Sequence, residues 1–485
     1  MEKYNPASIE KKWQDKWLAD NSFRVTEDSE KKKFYCLTMF AYSSGTAHTG
    51  HLRNYVLGDV IARYKKYNNF NVLEPTGFDA FGLPADLAAE KHGIHPAKWT
   101  HSNIENMERQ FKSMGIAYDW DREVITCNPD YYRWTQWLFE LFYKRGLAYK
   151  KEASVNWCDS CGTVLANEQV IDGKCWRCDH EVHKKQLAQW FFKITDYADE
   201  LLADLEKLKG WPERVKIMQE NWIGRSEGAE FSFDIEGFDD KIPVYTTRPD
   251  TIFGITYVVL AAEHPLVDKL IAGQSNEAEL RKFVEEVKNM SDVEKTNADS
   301  EKKGVFTGVY AINPANNKRV PIWITNYVVY EFGTGAVMGV PTHDERDWMF
   351  ATKYGLEKIL VIDNPKKPLD VSEMDNAYIE PGIMVNSGPF TGTDSVRGKK
   401  AVVDWLEKNH IGKRKVNYRL RDWLISRQRY WGAPIPIIYC DKCGEVLVPE
   451  DQLPVLLPTD VEFKQGALSP LSTSKSFNDC KCPKC

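Results

Sequence analysis

Two Cys-x2-Cys pairs separated by thirteen residues are the strongest constraint on the fold of this chain: Cys158, Cys161, Cys175 and Cys178. Four thiolates at this spacing are typical of a closed, tetrahedral zinc site, which leaves no open position for water. Gly162 and Gly173 would supply the tight turns. The spacing predicts a structural zinc module over 151–185, with free thiols as the alternative.

A second group of cysteines repeats the pairing: Cys440, Cys443, Cys482 and Cys485. Cys480 is left over, and Cys36 and Cys127 are interpreted as core residues or free thiols. We interpret 440–485 as a second zinc module, which is incomplete if further residues follow Cys485. In a chain without a secretory signal, this spacing indicates metal rather than disulfides.

Length and composition limit the class of protein. A chain of 485 residues is too long for one core and predicts three or four domains. A net charge of -6 favours an acidic enzyme over a dedicated nucleic-acid-binding domain, although a large enzyme can carry a local basic track. There is no long apolar run and no secretory or transit signal, so we expect a cytoplasmic protein without membrane association.

Residue patterns predict an α/β fold with an inserted module. A candidate strand at 33–40, a helix to about Lys66 and a strand from Val72 form a parallel βαβ unit. Residues 99–150 are predicted to be helical, with their aromatic side chains in the core. Short β-like runs alternate with Gly/Pro turns over 226–416 and predict a separate α/β module. The predicted segments are 1–150, 151–185, 186–225, 226–416, 417–439 and 440–485.

The motif His48-Thr49-Gly50-His51 lies where the first strand gives way to the first helix. A helix N-terminus offers unpaired N–H groups and a positive dipole end to phosphates. Two histidines three residues apart can face one ligand, and Gly50 would let a nucleotide approach the backbone. By itself, the pattern is a weak signal and is more often found as two surface histidines beside a turn.

Three stretches stand out in the inserted module: Thr246–Thr251, Gly333–Pro341 and His343–Asp347. Threonine hydroxyls can position a water and a ribose, and a carboxylate can hold an ammonium group. Taken singly, the first stretch is typical of a turn. The third is typical of a solvated helix start, since acidic residues favour that end of a helix.

Together with 39–45 and 77–85, these motifs resemble the class I aminoacyl-tRNA synthetases, and among them the leucyl-tRNA synthetase family. The resemblance covers nearly the whole chain. It implies a Rossmann-like parallel-sheet catalytic domain with an inserted α/β, β-barrel-like editing domain and small zinc modules. It also implies a leucine–tRNA ligase that uses ATP and Mg²⁺, contains Zn²⁺, and has leucine and tRNA(Leu) as partners.

The resemblance also implies roles for residues of the catalytic domain. Leucine would be bound by Met39, Phe40, Tyr42 and Asp79, with Asp79 on its ammonium group. ATP would be bound by His48, Gly50 and His51, and both histidines would be catalytic. The family prolines on either side of Tyr42 are replaced by Ala41 and Ser43, which predicts a more flexible loop.

In the inserted domain the resemblance implies hydrolytic editing of mischarged tRNA. Isoleucine and norvaline differ from leucine in methyl placement, which is worth only about 1–3 kcal/mol in an apolar pocket, a magnitude known for synthetases of this class. Asp347 would bind the ammonium group, Thr251 would block leucine, and Thr247 would hold the ester or water. The full implied set for editing and the tRNA end is Thr246, Thr247, Arg248, Thr251, Met338, His343, Asp344 and Asp347. The chain offers no obvious nucleophile or metal here, so we expect water to attack a positioned ester.

The segment Tyr418–Gly432 is rich in arginine and aromatic residues and is specific to the leucine, isoleucine and valine enzymes. Its arginines could meet tRNA or ATP phosphates, or it could be a basic amphipathic surface. A KMSKS loop is not found, since Thr473–Ser476 is similar only superficially, and an anticodon-binding domain is also missing.

We therefore expect a fragment, a truncated chain or a split subunit. Its missing regions would come from a second chain; otherwise we expect a monomer. Alone it would adenylate leucine poorly while still deacylating tRNA. Two alternatives stay open at this point: an editing-only deacylase and a non-enzymatic, zinc-dependent RNA-binding scaffold.

Overall fold

The computed structural model describes residues 4–27, 30–43, 45–161, 163–165, 169–171, 173–290, 294–295, 300–330, 333–426, 429–463 and 470–485. Ser44, Gly162, Arg427 and Gln428, which belong to the predicted turns and the arginine-rich segment, lie outside these residues. The chain divides into two compact units, and each is described by itself: Met1–Lys193 with Trp423–Cys485, and Ile194–Asp422. Among the described residues, no helix has both the length and the apolar character to cross a bilayer.

The α-helices are α1 (Pro6–Ala19), α2 (Thr49–Tyr67), α3 (Leu83–His92), α4 (Pro96–Met114), α5 (Pro129–Lys144), α6 (Ala198–Asp204), α7 (Glu213–Ile223), α8 (Val267–Ile271), α9 (Glu277–Lys288), α10 (Glu345–Tyr354), α11 (Ser395–Lys408) and α12 (Lys475–Asn478). Short 3-10 helices lie at Trp120–Arg122, Ile194–Tyr197, Leu205–Lys207, Pro249–Gly254, Val371–Glu373, Gly388–Phe390, Glu450–Gln452 and Pro470–Thr473.

The strands are β1 (Lys33–Tyr35), β2 (Ala41–Tyr42), β3 (Asn71–Leu73), β4 (Gly77–Asp79), β5 (Val124–Ile125), β6 (Ala148–Cys158), β7 (Thr163–Leu165), β8 (Val170–Ile171), β9 (Lys174–Cys175), β10 (Val182–Phe192), β11 (Arg225–Ile235), β12 (Lys241–Thr246), β13 (Tyr257–Ala261), β14 (Gly304–Ile312), β15 (Arg319–Thr325), β16 (Ala336–Gly339), β17 (Ile362–Asp363), β18 (Ile383–Met384), β19 (Gly412–Tyr418), β20 (Trp423–Leu424), β21 (Ile437–Cys440) and β22 (Gly444–Leu447).

Parallel pairing organises the first unit. β1 pairs with β3, β2 with β4, and β4 with β5, all in parallel. The predicted βαβ unit is confirmed, but the single strand expected at 33–40 is wrong in extent, because pairing stops at Tyr35 and resumes at Ala41. The next strand is likewise interrupted at Pro75, since proline has no N–H to donate to a ladder. Asn68 and Asn69 end α2 as predicted, and Asn69 has a left-handed φ of 64°.

The core of the first unit contains Phe78, Met107 and Phe111, together with Tyr430 and Trp431 from the arginine-rich segment. The all-helical prediction for 99–150 is wrong in its middle. Gly115, at φ 70°, ends α4, and the parallel strand β5 follows. The aromatic residues of α5 are only partly core, because Tyr132 and Phe139 are buried whereas Trp134 is 57% exposed. An amphipathic helix buries one face only.

A long antiparallel ribbon carries the first cysteine group. β6 and β10 pair along their whole length, from Ala148 opposite Phe192 to Cys158 opposite Val182. β20 joins the outer side of β10, and β7 joins β6. The predicted module at 151–185 is therefore the far end of this ribbon, which continues to its base at 148 and 192.

The second unit is built on a sheet with strand order β12-β11-β14-β15-β13-β16, and β19 also pairs with β11. β12 and β16, the two ends of this order, lie against each other, so the sheet curls into a barrel-like shape. The predicted β-like runs at 231–234 and 320–324 are confirmed within β11 and β15, and the run at 244–247 is confirmed in β12 as far as Thr246. The unit is wider than the predicted segment 226–416, because α6 and α7 belong to it.

Glu74 is a buried acid directly after β3. Its side chain is 2% exposed, and among the described residues neither carboxylate oxygen has a hydrogen-bond partner. Burial, together with the neighbouring Asp59, raises the pKa of Glu74 to about 8. In the unfolded chain the pKa of a glutamate is about 4.3, so the folded chain holds an extra proton between these values.

Stability is therefore expected to fall as the pH rises from about 5 to about 8.5. Between these pH values the unfolding free energy of the native chain should fall by roughly 3–5 kcal/mol more than that of the Glu74→Gln variant. Each pH unit by which folding shifts the pKa of Glu74 contributes about 1.4 kcal/mol. Denaturant unfolding at both pH values measures this difference, with the exposed Glu380→Gln as the matched control. Equal pH dependence in the native chain and Glu74→Gln would contradict it.

Candidate active sites and metal centres

The motif at 48–51 forms the N-terminus of α2. His48 is the capping residue, and its Nδ1 accepts a hydrogen bond from the Gly50 N–H at 3.1 Å. The Nδ1 of His51 accepts from the His48 N–H at 3.2 Å. Because each Nδ1 is an acceptor, a neutral ring carries its proton on Nε2 and can donate from there.

The two imidazole rings stack with centroids 3.9 Å apart. Burial lowers the pKa of His51, and the neighbouring His48 lowers it further. Neutral N–H donors at a helix N-terminus are suited to binding an anion without a charged side chain. A Cβ at position 50 would lie 2.9 Å from the His48 ring, and the approach of ATP to Gly50 stays a prediction. The glycine makes room for the capping imidazole.

Two of the four implied leucine-binding residues lie at the carboxyl ends of neighbouring parallel strands. Tyr42 and Asp79 are register partners, and the Ser43 N–H donates to the Asp79 carbonyl at 3.2 Å. Burial raises the pKa of Asp79, and burial together with Asp79 raises that of Tyr42 to about 12. The Phe40 ring lies against Gly77. Met39, in contrast, is 77% exposed and is not enclosed with these residues.

The arginine-rich segment docks on the loop that follows Asp79. The Trp431 indole donates to the Ala80 carbonyl at 2.6 Å, and the Trp431 N–H donates to the buried Asp86 at 3.2 Å. Gly82, at φ 129°, donates its N–H to the Trp431 carbonyl at 3.1 Å. Asp86 was not singled out from the sequence, although it stands within the recognised motif 77–86. Its role depends on a residue 345 positions away in the chain.

In the second unit, the threonine stretch forms a tight turn after β12. The Thr246 hydroxyl accepts from the Arg248 N–H at 2.9 Å, and the Thr251 hydroxyl donates to the Arg248 carbonyl at 2.8 Å. Thr247 is exposed, whereas Thr251 is fully buried. The fully buried Asp250 holds the Arg248 guanidinium at 3.1 Å. The local sequence indicates no role for Asp250, because its burial arises only in the folded unit.

Asp347 is enclosed at the start of α10. Asp344 caps this helix and accepts from the Arg346 and Asp347 N–H groups at 2.9 and 3.2 Å. The Asp347 carboxylate accepts from the Val340 N–H at 2.8 Å and from the Tyr257 hydroxyl at 3.0 Å. Burial, together with the nearby Asp344, raises the pKa of Asp347 to about 7. The predicted helix start is therefore confirmed, but this acid is buried rather than solvated.

His343 and Met338 are buried in the same unit. The Nδ1 of His343 lies 2.9 Å from the Tyr378 carbonyl, and its Nε2 accepts from the Val361 and Ile362 N–H groups at 3.0 and 3.1 Å. Burial lowers the pKa of His343 to about 4, so the ring is neutral and ties loops together. Met338 lies in the barrel core. Contact of either side chain with tRNA stays a prediction.

Both predicted cysteine groups come together as tetrads whose sulfur atoms all lie within 4.8 Å of one another: Cys158, Cys161, Cys175 and Cys178; Cys440, Cys443, Cys482 and Cys485. In the first tetrad, Cys158 and Cys178 are 3.4 Å apart and Cys161 and Cys175 are 3.9 Å apart. A tetrahedron with Zn–S bonds of about 2.3 Å has edges of about 3.8 Å, so the donor sets fit zinc. Cys480 stands outside the second tetrad, as predicted.

The parallel βαβ unit with its histidine-capped helix, and the barrel inserted within the same chain, define a class I synthetase fold. The chain belongs to the class I tRNA synthetases of the I, L, M and V group, whose family model matches residues 12–293 and 393–463. Residues 220–407 match the model described as the leucyl-tRNA synthetase editing domain.

Two of the most similar curated relatives are leucine–tRNA ligases. The "Leucine--tRNA ligase" of Thermotoga maritima is 57% identical and that of Thermosipho melanesiensis 56% identical, each over all 485 residues. The chain spans 59% of the length of each of these relatives. A crystal structure of the ternary complex of Agrobacterium radiobacter K84 agnB2 LeuRS with tRNA and LeuAMS matches with 42% identity and a TM-score of 0.83. That match covers 100% of this chain and 57% of the other.

Proposed function

We propose that this chain provides the ATP- and leucine-binding part and the editing part of a leucine–tRNA ligase. The observation that carries the proposal is the pairing of Tyr42 with Asp79 at the strand ends, in the unit that also holds the histidine-capped helix. Ligands of parallel α/β sheets bind at this edge. Identity of 57% over all 485 residues of this chain to part of a leucine–tRNA ligase supports leucine as the amino acid.

For activation, the Nε2–H groups of His48 and His51 and the N-terminus of α2 bind the phosphates of ATP. Asp79 binds the ammonium group of leucine through a charge-assisted hydrogen bond, while Phe40 and Tyr42 line the side-chain pocket. The contact of Met39 with leucine stays a prediction, since its side chain is exposed. Mg²⁺ stays a prediction based on the chemistry of ATP, and no described residue is assigned to it.

For editing, Asp347 binds the ammonium group of a mischarged amino acid. Thr247 is exposed and positions the ester or the attacking water, while Thr251 restricts the pocket against leucine. Arg248, fixed by Asp250, binds the phosphate or ribose of the tRNA end. The Thr246–Thr251 turn follows β12 and Val340 follows β16, two strands that lie side by side. That proximity supports one shared site.

The two cysteine tetrads are proposed to bind structural zinc, and tRNA(Leu) is the proposed macromolecular partner. The relatives are longer chains that include the matched region, which gives no support to the expected second chain. A monomer in the cytoplasm stays the prediction from the sequence.

The experiment that tests the proposal measures two activities of this chain separately: ATP binding, and hydrolysis of isoleucyl-tRNA(Leu). The proposal expects both, with leucyl-tRNA(Leu) hydrolysed far more slowly. Hydrolysis without ATP binding would support the editing-only deacylase instead. Absence of both activities would contradict the proposal and favour the non-enzymatic RNA-binding scaffold.

His51→Asn is expected to weaken ATP binding at least about tenfold, because a hydrogen bond to a charged group is worth roughly 1.5–3 kcal/mol. Isothermal titration of ATP into the chain measures the change. The control is His410→Asn, at an exposed residue whose φ of 57° asparagine adopts readily. Equal ATP affinity in the two variants would contradict the role of His51.

A further inference from the structure

The Asp347 carboxylate is held by a tyrosine that no motif includes. Tyr257 is the first residue of β13 and is fully buried. Its hydroxyl donates to Asp347 Oδ1 at 3.0 Å, and the Val340 N–H donates to Oδ2 at 2.8 Å. Each carboxylate oxygen can accept two hydrogen bonds, so one acceptor position on each remains for a ligand.

Packing fixes the position of the Tyr257 hydroxyl. Tyr257 is the register partner of Gly339, where a Cβ would lie 2.4 Å from the tyrosine ring. On its other side, the ring stacks on Phe350 with centroids 5.3 Å apart. A ring packed between two strands and a helix cannot rotate its hydroxyl away from Asp347. The packing of the barrel therefore enforces the hydrogen bond.

The groups around Asp347 determine whether its carboxyl group is ionised, and the contact with Tyr257 is one of them. Asp344 and Arg346 face it from its own helix, Tyr257 faces it from β13, and Tyr327 faces it through Tyr257, with the two hydroxyls 3.3 Å apart. Burial and Asp344 favour the protonated acid and raise its pKa to about 7, whereas the hydrogen bonds from Tyr257 and Val340 favour the carboxylate. Only the ionised form attracts an ammonium group.

We propose that Tyr257 is a positioning residue of the editing site, whose hydroxyl keeps the Asp347 carboxylate ionised and oriented to receive the ammonium group of the mischarged amino acid. This inference rests on the proposed editing function. It adds a residue from β13 to a site otherwise assembled from the turn after β12 and the start of α10.

The test compares Tyr257→Phe with Tyr327→Phe in hydrolysis of isoleucyl-tRNA(Leu) by the whole chain from pH 5.5 to 9. For Tyr257→Phe we expect the midpoint of the pH dependence to move up by about one unit, since a hydrogen bond to a charged group is lost. At pH 6.5 its KM should rise about tenfold, and near pH 9 its activity should approach that of the native chain. Tyr327→Phe is the control, because its hydroxyl meets Tyr257 rather than Asp347.

A merely structural role would lower the activity of Tyr257→Phe equally at every pH, without moving the midpoint, and would overturn the inference. Equal shifts in both variants would overturn it too. If Tyr257→Phe does not fold, 3-fluorotyrosine at position 257 replaces it, and its more acidic hydroxyl should move the midpoint down. No shift with that residue would be equally decisive. Failure of the native chain to hydrolyse the substrate at any pH would instead refute the proposed function.

Discussion

Asp347→Asn is expected to lower the hydrolysis of isoleucyl-tRNA(Leu) roughly 30-fold to more than 1000-fold. The reason is that removing one charge of a buried, hydrogen-bonded ion pair costs about 2–5 kcal/mol. The asparagine keeps the size of the side chain and an oxygen for one of the two hydrogen bonds. It cannot neutralise the ammonium group, and its NH₂ would face either Tyr257 or the Val340 N–H as a second donor.

Single-turnover deacylation measures this loss, and circular dichroism checks that the fold persists. The matched control is Asp370→Asn, another aspartate of the second unit, which caps an exposed 3-10 helix and should change the rate less than twofold. Retention of the native rate by Asp347→Asn would show that the ammonium group is bound elsewhere. A loss of deacylation rate no larger than that of Asp370→Asn would lead to the same conclusion.

The second large effect concerns the cysteine tetrads, each of which is expected to hold one zinc ion. Cys482→Ser should lower the zinc content from two ions per chain to one and unfold the module around β21 and β22. Zinc binding in small modules supplies about 10–16 kcal/mol of apparent folding free energy, far more than the local packing of these two short strands. Cys158→Ser should likewise empty the first tetrad and loosen the far end of the β6–β10 ribbon.

Metal analysis of the purified chain measures the zinc content. Cys480, two residues before Cys482, provides the control. Cys480→Ser should keep both ions, because Cys480 stands outside the tetrad. Loss of zinc from Cys480→Ser together with full content in Cys482→Ser would reassign the ligands. A native chain that contains no zinc and melts at the same temperature with and without a chelator would refute both centres.

Patterns that act over short distances could be read directly from the sequence. Cys-x2-Cys pairs, a histidine at a helix start and alternating β runs each depend on residues within a few positions of one another, so the tetrads, the cap of α2 and the strands of the barrel were predictable. The amide-bearing pair Asn68 and Asn69 ended the first long helix for the same local reason.

Predictions fail where a neighbour distant in sequence decides the outcome. The strand expected at 33–40 is split because its partner strand is interrupted at Pro75. The middle of 99–150 joins the sheet because β5 pairs with β4. The role of His343 at the tRNA end stays a prediction, and both of its ring nitrogens contact backbone groups of other loops.

The order of residues establishes which chemistry this protein has available: which thiols can share a metal, which helix start carries imidazoles, and which stretch carries the acids of the inserted domain. How those groups behave depends on the folded chain. Burial and long-range contacts set ionisation and orientation, as for Asp347 between Tyr257 and Val340, and neither property is encoded within a few residues of a motif. A carboxylate acquires its pKa and its direction from the surroundings that the whole fold builds around it.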